Sequence, residues 1–348
     1  MENLSIAELD AAESGEWRAY VDARPDATLF HDLRWLDAVT DAYHCRNYRL
    51  VARRGDAIVG VLPLSLVTAP LLGRSLISAA YGVGGGIVAD DAEAARALGE
   101  HALQLGRALK VKYVELRGGA APGGQYVVKT GHHVSFEKTL PDDAGEILER
   151  LPRKRRAEVR KSLPSEDGAG NCERITDDVA AFYRVYAVSV RNLGTPVMPK
   201  RFLDALLARF GEEAEIALVE NDDAVVAGLL SFWRKDRVMP YYVGAGARAR
   251  ETRAFDFLYY SLMRRAVGRG VKIFDFGRSK ANSTHAETKA HWGFDAMPVI
   301  VHVALIGAKS LPNLSPKNPK FERLVSVWRR LPLPVANFLG PIVARNFP

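Results

Sequence analysis

The chain has 348 residues, 48% of them apolar, with a formal net charge of +7 and a pI near 9.3. That length accommodates two or three ordinary domains with real cores, and the charge favours an anionic partner: a nucleotide-like cofactor, RNA or an acidic membrane face. Two cysteines, Cys45 and Cys172, exclude a disulfide framework, and the longest apolar run, residues 57–72, is interrupted by Pro63 and Pro70 and too short for a spanning helix.

Residues 1–10 are acidic and lack a charged-then-apolar leader, so the expected compartment is the cytoplasm. Residues 4–20 read as a short strand and a helix. Asp32 is placed to cap a helix carrying Leu33, Trp35, Leu36 and Val39 at helical spacing. Strands at 48–53 and 57–67 flank Arg54-Gly55-Asp56, a hairpin turn. Residues 77–88 form an extended stretch interrupted by the flexible run Tyr81-Gly82-Val83-Gly84-Gly85-Gly86; then come a helix at 92–109 and a strand at 111–116.

The second half repeats this cadence. Leu50-Val51 stands ten residues before Gly60, as Leu218-Val219 stands ten before Gly228. Val111–Leu116 echoes the strand 271–276, and Tyr81-x-x-Gly84 echoes Tyr241-x-x-Gly244. Hairpin, strand, helix and strand, twice in one order, predict a tandem duplicated α/β (α+β) chain, each half a mixed sheet flanked by helices. The expected domains are 1–130, 131–308 and a basic, Pro-rich tail, 309–348, which contains Pro312, Pro316 and an amphipathic helix at 321–330. Between the halves, residues 144–163 read as one helix rich in Arg and Lys, with Arg156 and Arg160 able to grip phosphates of a nucleotide- or lipid-linked substrate or of RNA.

The stretch 241–294 carries the candidate chemistry. A strand, a turn with Gly244, Gly246, Arg248, Arg250 and Arg253, a helix from Ala254, and a strand at 271–276 make a βαβ unit whose helix N-terminus, at Ala254, Phe255 and Asp256, suits a phosphate. Asp275 and Arg278 flank Gly277: either a strand-end ion pair around a turn glycine, or a carboxylate base beside an arginine that holds a substrate phosphate or carboxylate. Lys289, ahead of Trp292-Gly293-Phe294, is a candidate for stabilising the oxyanion formed when an amine attacks an ester or thioester. His285, Glu287 and His291 have no metal-ligand spacing, so no metal is expected. The absence of a Gly-x-Ser-x-Gly elbow or a Cys-His pair points to direct transfer without a covalent intermediate.

Arg-Asn-Leu-Gly-Thr-Pro at 191–196, Phe-Asp-Phe-Gly-Arg-Ser at 274–279, Lys289 before Trp-Gly-Phe, Arg-x-x-Val-Arg-Lys at 156–161 and the Trp-Arg-Arg-Leu-Pro tail at 328–332 resemble the FemAB-like proteins of exopolysaccharide and exosortase (XrtA/PEP-CTERM) loci. The resemblance covers most of the chain and implies two GNAT-type acyltransferase domains. Classical FemABX relatives move an amino acid from aminoacyl-tRNA to a peptidoglycan precursor; the exopolysaccharide branch is associated with acylation of sugar amines. In the family's Phe-Lys-Lys-x-Trp-Gly-Phe run, Lys289 matches the first lysine, while Thr288 and Ala290 depart from it. Residues and resemblance together lead to the expectation of a cytoplasmic enzyme that transfers an acyl group, acetyl from acetyl-CoA, to the amine of an envelope precursor. Asp275, or a water it holds, would remove the amine proton and Tyr242 would protonate the leaving sulfur. Arg191, Thr195 and Arg278 would contact the acceptor, and the turn 244–256 the donor pyrophosphate. Two rivals accompany this reading: aminoacyl transfer from tRNA, and a non-catalytic scaffold held at the inner membrane face by its basic tail.

Overall fold

A computed structural model describes residues 3–69, 73–310 and 319–348. Pro70, Pro312 and Pro316 lie outside the described residues. The chain runs through β1 (Leu4–Glu8), α1 (Ser14–Ala23), α2 (Leu33–Tyr43), β2 (Arg46–Arg54), β3 (Ala57–Ala69), β4 (Gly73–Ser78), β5 (Val88–Ala89), α3 (Ala92–Ala108), β6 (Tyr113–Arg117), β7 (Val127–Lys129) and β8 (His133–Thr139). It continues with α4 (Glu146–Arg150), α5 (Arg153–Ser162), β9 (Cys172–Thr176), α6 (Val179–Leu193), α7 (Lys200–Phe210), β10 (Ala214–Asn221), β11 (Ala224–Arg234), β12 (Arg237–Ala245) and α8 (Ala254–Gly268). It ends with β13 (Ile273–Lys280), α9 (Thr284–Ala290), β14 (Ala296–Pro298), β15 (Val301–Leu305), α10 (Pro319–Arg330) and α11 (Leu333–Ala344).

Two compact units result. Unit 1 comprises residues 1–131, 299–318 and 342–348; unit 2 comprises 132–298 and 319–341. Each is built on a mixed sheet. The order is β1-β2-β3-β4-β6-β15-β7 in unit 1, with β5 on β3, and β14-β8-β13-β12-β11-β10-β9 in unit 2. Within each sheet one neighbouring pair is parallel, β4 with β6 and β12 with β13. A parallel pair needs a crossover, and α3 and α8 provide it. The duplication is therefore present in the fold. Its last strands are exchanged: β8, from the first half, stands beside β13, whereas β15, from the second half, stands beside β6.

Local chemistry accounts for most element ends. Asp32, Asp91 and Asp178 cap α2, α3 and α6 by accepting from amides of the first turn, and Gly194 closes α6 at φ +80°. Residues 144–163 are not one helix. Leu151 and Pro152 are extended, and Pro152, which has no N–H to donate, opens α5 as a new helix. Nor is 77–88 one extended stretch, because β4 stops at Ser78 and Ala79 and Tyr81 take positive φ.

The echoes fare unequally. Aligning the hairpins by their turns sets Gly60 against Ala227 and Gly228 against Val61, one residue off the sequence echo. Gly60 accordingly faces Leu98 of α3, whereas Gly228 faces Phe182 of α6. A slip of one residue exchanges faces, so the matching glycines serve opposite sides of their sheets. The bulges do coincide, at Ala52/Arg53 and at Val219/Glu220. The echo of 111–116 with 271–276 holds in register, since Val114 and Phe274 each sit in the parallel pairing. Tyr81 lies in a turn while Tyr241 lies inside β12, so that echo carries no structural equivalence.

In unit 2, α8 packs on the sheet face formed by Ala217, Val219, Ala227 and Leu229 together with Ile147, Val159 and Trp292. On the opposite face, Phe182 and Val185 of α6 lie over Gly228.

Candidate active site

The parallel pairing of β12 with β13 covers only Arg237↔Ile273 and Val238↔Phe274. Beyond it the strands diverge, and a bulge in each accounts for the bend. On β12 the register against β11 shifts at Leu230/Ser231, inserting Tyr241, so Tyr241 and Tyr242 form an edge-to-face pair with ring centroids 4.6 Å apart. Tyr242 also meets Tyr186 of α6, centroids 5.9 Å apart. On β13 the register against β8 shifts between Asp275 and Gly277, where Gly277 takes φ +65°.

Unit 1 has the same two-pair parallel junction, Leu76↔Val114 and Ile77↔Glu115. There the residues beyond the junction bond to one another. Ser78 Oγ accepts from the Arg117 amide at 2.8 Å, and the Gly86 amide donates to the Arg117 carbonyl at 2.9 Å. The Arg117 guanidinium, almost fully buried, donates to the Gly82 carbonyl at 2.6 Å and to Glu115 at 2.8 Å.

At the bend of β13, Lys289 reaches back from α9. Its Nζ donates to the Phe276 carbonyl at 2.6 Å and lies 3.3 Å from the carbonyls of both Gly277 and Arg278. The ammonium lies over the rings of Phe136 and Phe276, 5.7 and 5.8 Å from their centroids. An ammonium has three donors, and three carbonyls meet it. Burial lowers its pKa to about 8, opposed by the nearby Asp275. Asp275 accepts from the Gly277 amide at 2.8 Å, and Arg237 approaches its other oxygen at 3.4 Å. Burial outweighs these contacts and raises the Asp275 carboxyl above the ordinary aspartate value. Asp275, Arg278 and Lys289 thus share one strand bend, with Arg278 in register with Ser135.

The basic turn is occupied by ion pairs. Arg248 donates to Asp222 at 2.7 Å and to Asn221 at 3.0 Å, Arg253 donates to Glu158 at 2.8 Å, and Arg250 is exposed. Gly246 donates its amide to Val226. Gly244 is a close-approach residue: a Cβ there would fall 2.3 Å from Tyr186 Cα. At the start of α8, Asp256 forms a part-buried ion pair with Arg155, whose guanidinium also lies 5.2 Å from the Trp292 ring centroid. Its carboxyl is nevertheless pushed up, because burial exceeds the effect of Arg155. Ala254 is buried and Phe255 is half-buried with its ring stacked near Tyr259. Helix α5 therefore lies across the first turn of α8 through Arg155 and Glu158.

Of the remaining acceptor candidates, Arg191 donates to the Leu331 carbonyl at 3.1 Å and Thr195 is exposed past the end of α6. Arg160 is exposed, while Arg156 is half-buried with its Nε buried and unpartnered among the described residues. The reading from sequence missed Arg155, Glu158 and Arg237. Asp256 in a first helical turn was the signal for a cationic partner, but the partner sits 101 positions away.

Residues 153–285 match the family described as Acetyltransferase (GNAT) domain. The chain carries a GNAT-type acyltransferase domain. A FemX crystal structure superposes with a TM-score of 0.66 at 14% identity, covering 87% of this chain and 98% of that one. A tandem GNAT protein from the clavulanic acid biosynthesis pathway gives 0.55 at 14% identity, covering 88% and 100%. L-PGS from Bacillus licheniformis gives 0.55 at 12%, covering 92% and 97%. These likenesses show a fold of tandem GNAT-like halves, and the GNAT family match lies within unit 2. No curated protein sequence matches the chain. Among the described residues no helix is long and apolar enough to cross a membrane.

Proposed function

We propose that the chain is an N-acyltransferase that moves an acyl group, acetyl from acetyl-CoA, to an amine of a nucleotide- or lipid-linked sugar in an exopolysaccharide or cell-envelope precursor, on the cytoplasmic side. The observation that carries this reading is the divergence of β12 from β13 inside the GNAT-matched segment, with a basic carboxylate at the bend. The two amides of a pantetheine arm require backbone partners in extended form, and separated parallel strands offer such edges. The attacking amine must lose a proton, and Asp275, made more basic by burial, accepts it. The amine nitrogen bonds to the thioester carbonyl carbon; on collapse the C–S bond breaks and Tyr242 protonates the thiolate. Lys289 fixes the bent carbonyls of β13 and supplies positive charge beside the developing oxyanion. Arg278, Arg191 and Thr195 are proposed to contact the acceptor, with Arg156 and Arg160 on its phosphates; the amides around Ala254, Phe255 and Asp256 and the side chains of Arg248, Arg250 and Arg253 are proposed to contact the donor pyrophosphate.

One observation favours a second donor. Arg248 and Arg253 are already paired with acids and Asp256 brings a carboxyl to the first turn of α8, which weakens a pyrophosphate cradle there. A FemX-like donor, aminoacyl-tRNA, does not need that cradle, and the exposed Arg153, Lys154 and Arg160 of α5 suit its backbone. Calorimetric titration with acetyl-CoA separates the two. Micromolar binding at one site per chain supports the CoA donor; no binding at millimolar concentration, together with nuclease-sensitive transfer from charged tRNA, replaces it.

A further inference from the structure

The last thirty residues carry an exposed apolar surface that the transfer chemistry does not use. On α10, Leu324 and Val327 are 61% and 60% exposed, three positions apart and so on one side of the helix. On α11, Val335, Phe338 and Ile342 follow at intervals of three and four, with Phe338 74% exposed. The two helices do not hang free. Arg329 donates to the Leu193 carbonyl, Arg191 donates to that of Leu331, and Ala336 is buried, so the opposite sides are anchored and the stripes are held outward. α11 contains no charged residue, yet Arg329 and Arg330 precede it and Arg345 follows it. Across residues 319–348 the charged side chains are Lys320, Arg323, Arg329, Arg330 and Arg345 against Glu322 alone.

We propose that α10 and α11 dock the protein on an anionic phospholipid surface. The sign of the flanking charge selects the partner: an apolar stripe bordered by arginines fits acyl chains beneath acidic headgroups, whereas a neutral bilayer answers only half of it. Each helix has twelve residues, about 18 Å long, against a hydrocarbon core of about 30 Å, so both lie in the interface and neither spans it. Phe338 enters the acyl boundary, and Arg323 and Arg330 contact lipid phosphates.

The test is co-sedimentation of the full chain with vesicles of phosphatidylcholine alone and of phosphatidylcholine mixed with phosphatidylglycerol. Binding is expected only to the mixed vesicles and to weaken as salt rises. Phe338→Asp is expected to lower that binding about tenfold or more, Leu324→Asp similarly, and Arg330→Glu severalfold. All three positions are exposed, so the variants keep the wild-type melting profile and acetyl-CoA titration, which separates this proposal from the choice of donor. Wild-type protein that ignores anionic vesicles overturns it. So does equal binding to both vesicle types, or vesicle binding untouched by both aspartate variants. Concentration-dependent dimerisation abolished by Phe338→Asp, without vesicle binding, would assign the face to a second copy of the chain instead.

Discussion

Both units contain a parallel strand pair that lasts two residues, and the residues beyond it are held differently in each. In unit 1 Arg117 holds them: backbone and guanidinium together bind Ser78, Gly82, Gly86 and Glu115. In unit 2 the facing strands are bent by bulges, and Lys289 holds the carbonyls of the bend. One framework, copied, is thus used once as a self-satisfied core and once as a bent junction beside a basic carboxylate.

The largest effect expected from breaking this contrast is on stability. Arg117→Ala removes a buried cation from Glu115 and from the carbonyls of Gly82 and Pro348 and should lower unfolding free energy by about 3–5 kcal/mol, read by denaturant melts, with the KM for the acyl donor unchanged. A changed donor KM would mean that unit 1 also takes part in donor binding. Lys289→Met should lower turnover about 100-fold, and the wild-type rate should fall as pH rises through about 8, where the ammonium deprotonates. Lys289→Arg, which keeps its charge, should remove that alkaline limb; an unchanged limb would assign it to another group. Because the folded value lies below the ordinary 10.5, the unfolded chain holds the extra proton between about 8 and 10.5, so this residue adds stability as pH rises through that window.

Gly244→Ala should cost about 2–3 kcal/mol, since its Cβ collides with the α6 backbone at Tyr186, whereas Gly246→Ala, whose Cβ has its nearest contact at 3.6 Å, should stay within about 0.5 kcal/mol. Equal tolerance in thermal melts would show that β12 can move away from α6. The smallest effect belongs to Arg253→Ala. Its part-exposed pair with Glu158 is screened by water and contributes little, so a severalfold rise in donor KM without a stability change would support phosphate binding there.

What the sequence made legible was local. Arg54-Gly55-Asp56 has turn chemistry, and β2 and β3 join there; Val111–Leu116 and Val271–Phe276 match in register because each must enter a parallel pair beside the same kind of crossover helix. Exact-residue echoes were less informative than turn positions, as the one-residue slip between Gly60 and Gly228 shows. At the candidate site, Asp275, Gly277, Arg278 and Lys289 were legible because 14 positions separate the first from the last and a strand end, loop and helix connect them. The partners of Arg253, Asp256 and Asp275 were not. Glu158, Arg155 and Arg237 approach from other elements, and ion pairs made across such separations leave no periodicity in the chain.

The exchanged strands impose an order of completion. β15 is the only strand joining β7 to β6 among the described residues, and it is reached only after all of residues 132–298 have been made. A ribosome therefore makes every strand of the second sheet while the first still presents the bare edge of β6, a strand with Val114 and Leu116 ready to pair with whatever arrives. Separating the chain at residue 131 would make that transient edge permanent. The unit held by Arg117 remains, during synthesis, the one left unfinished.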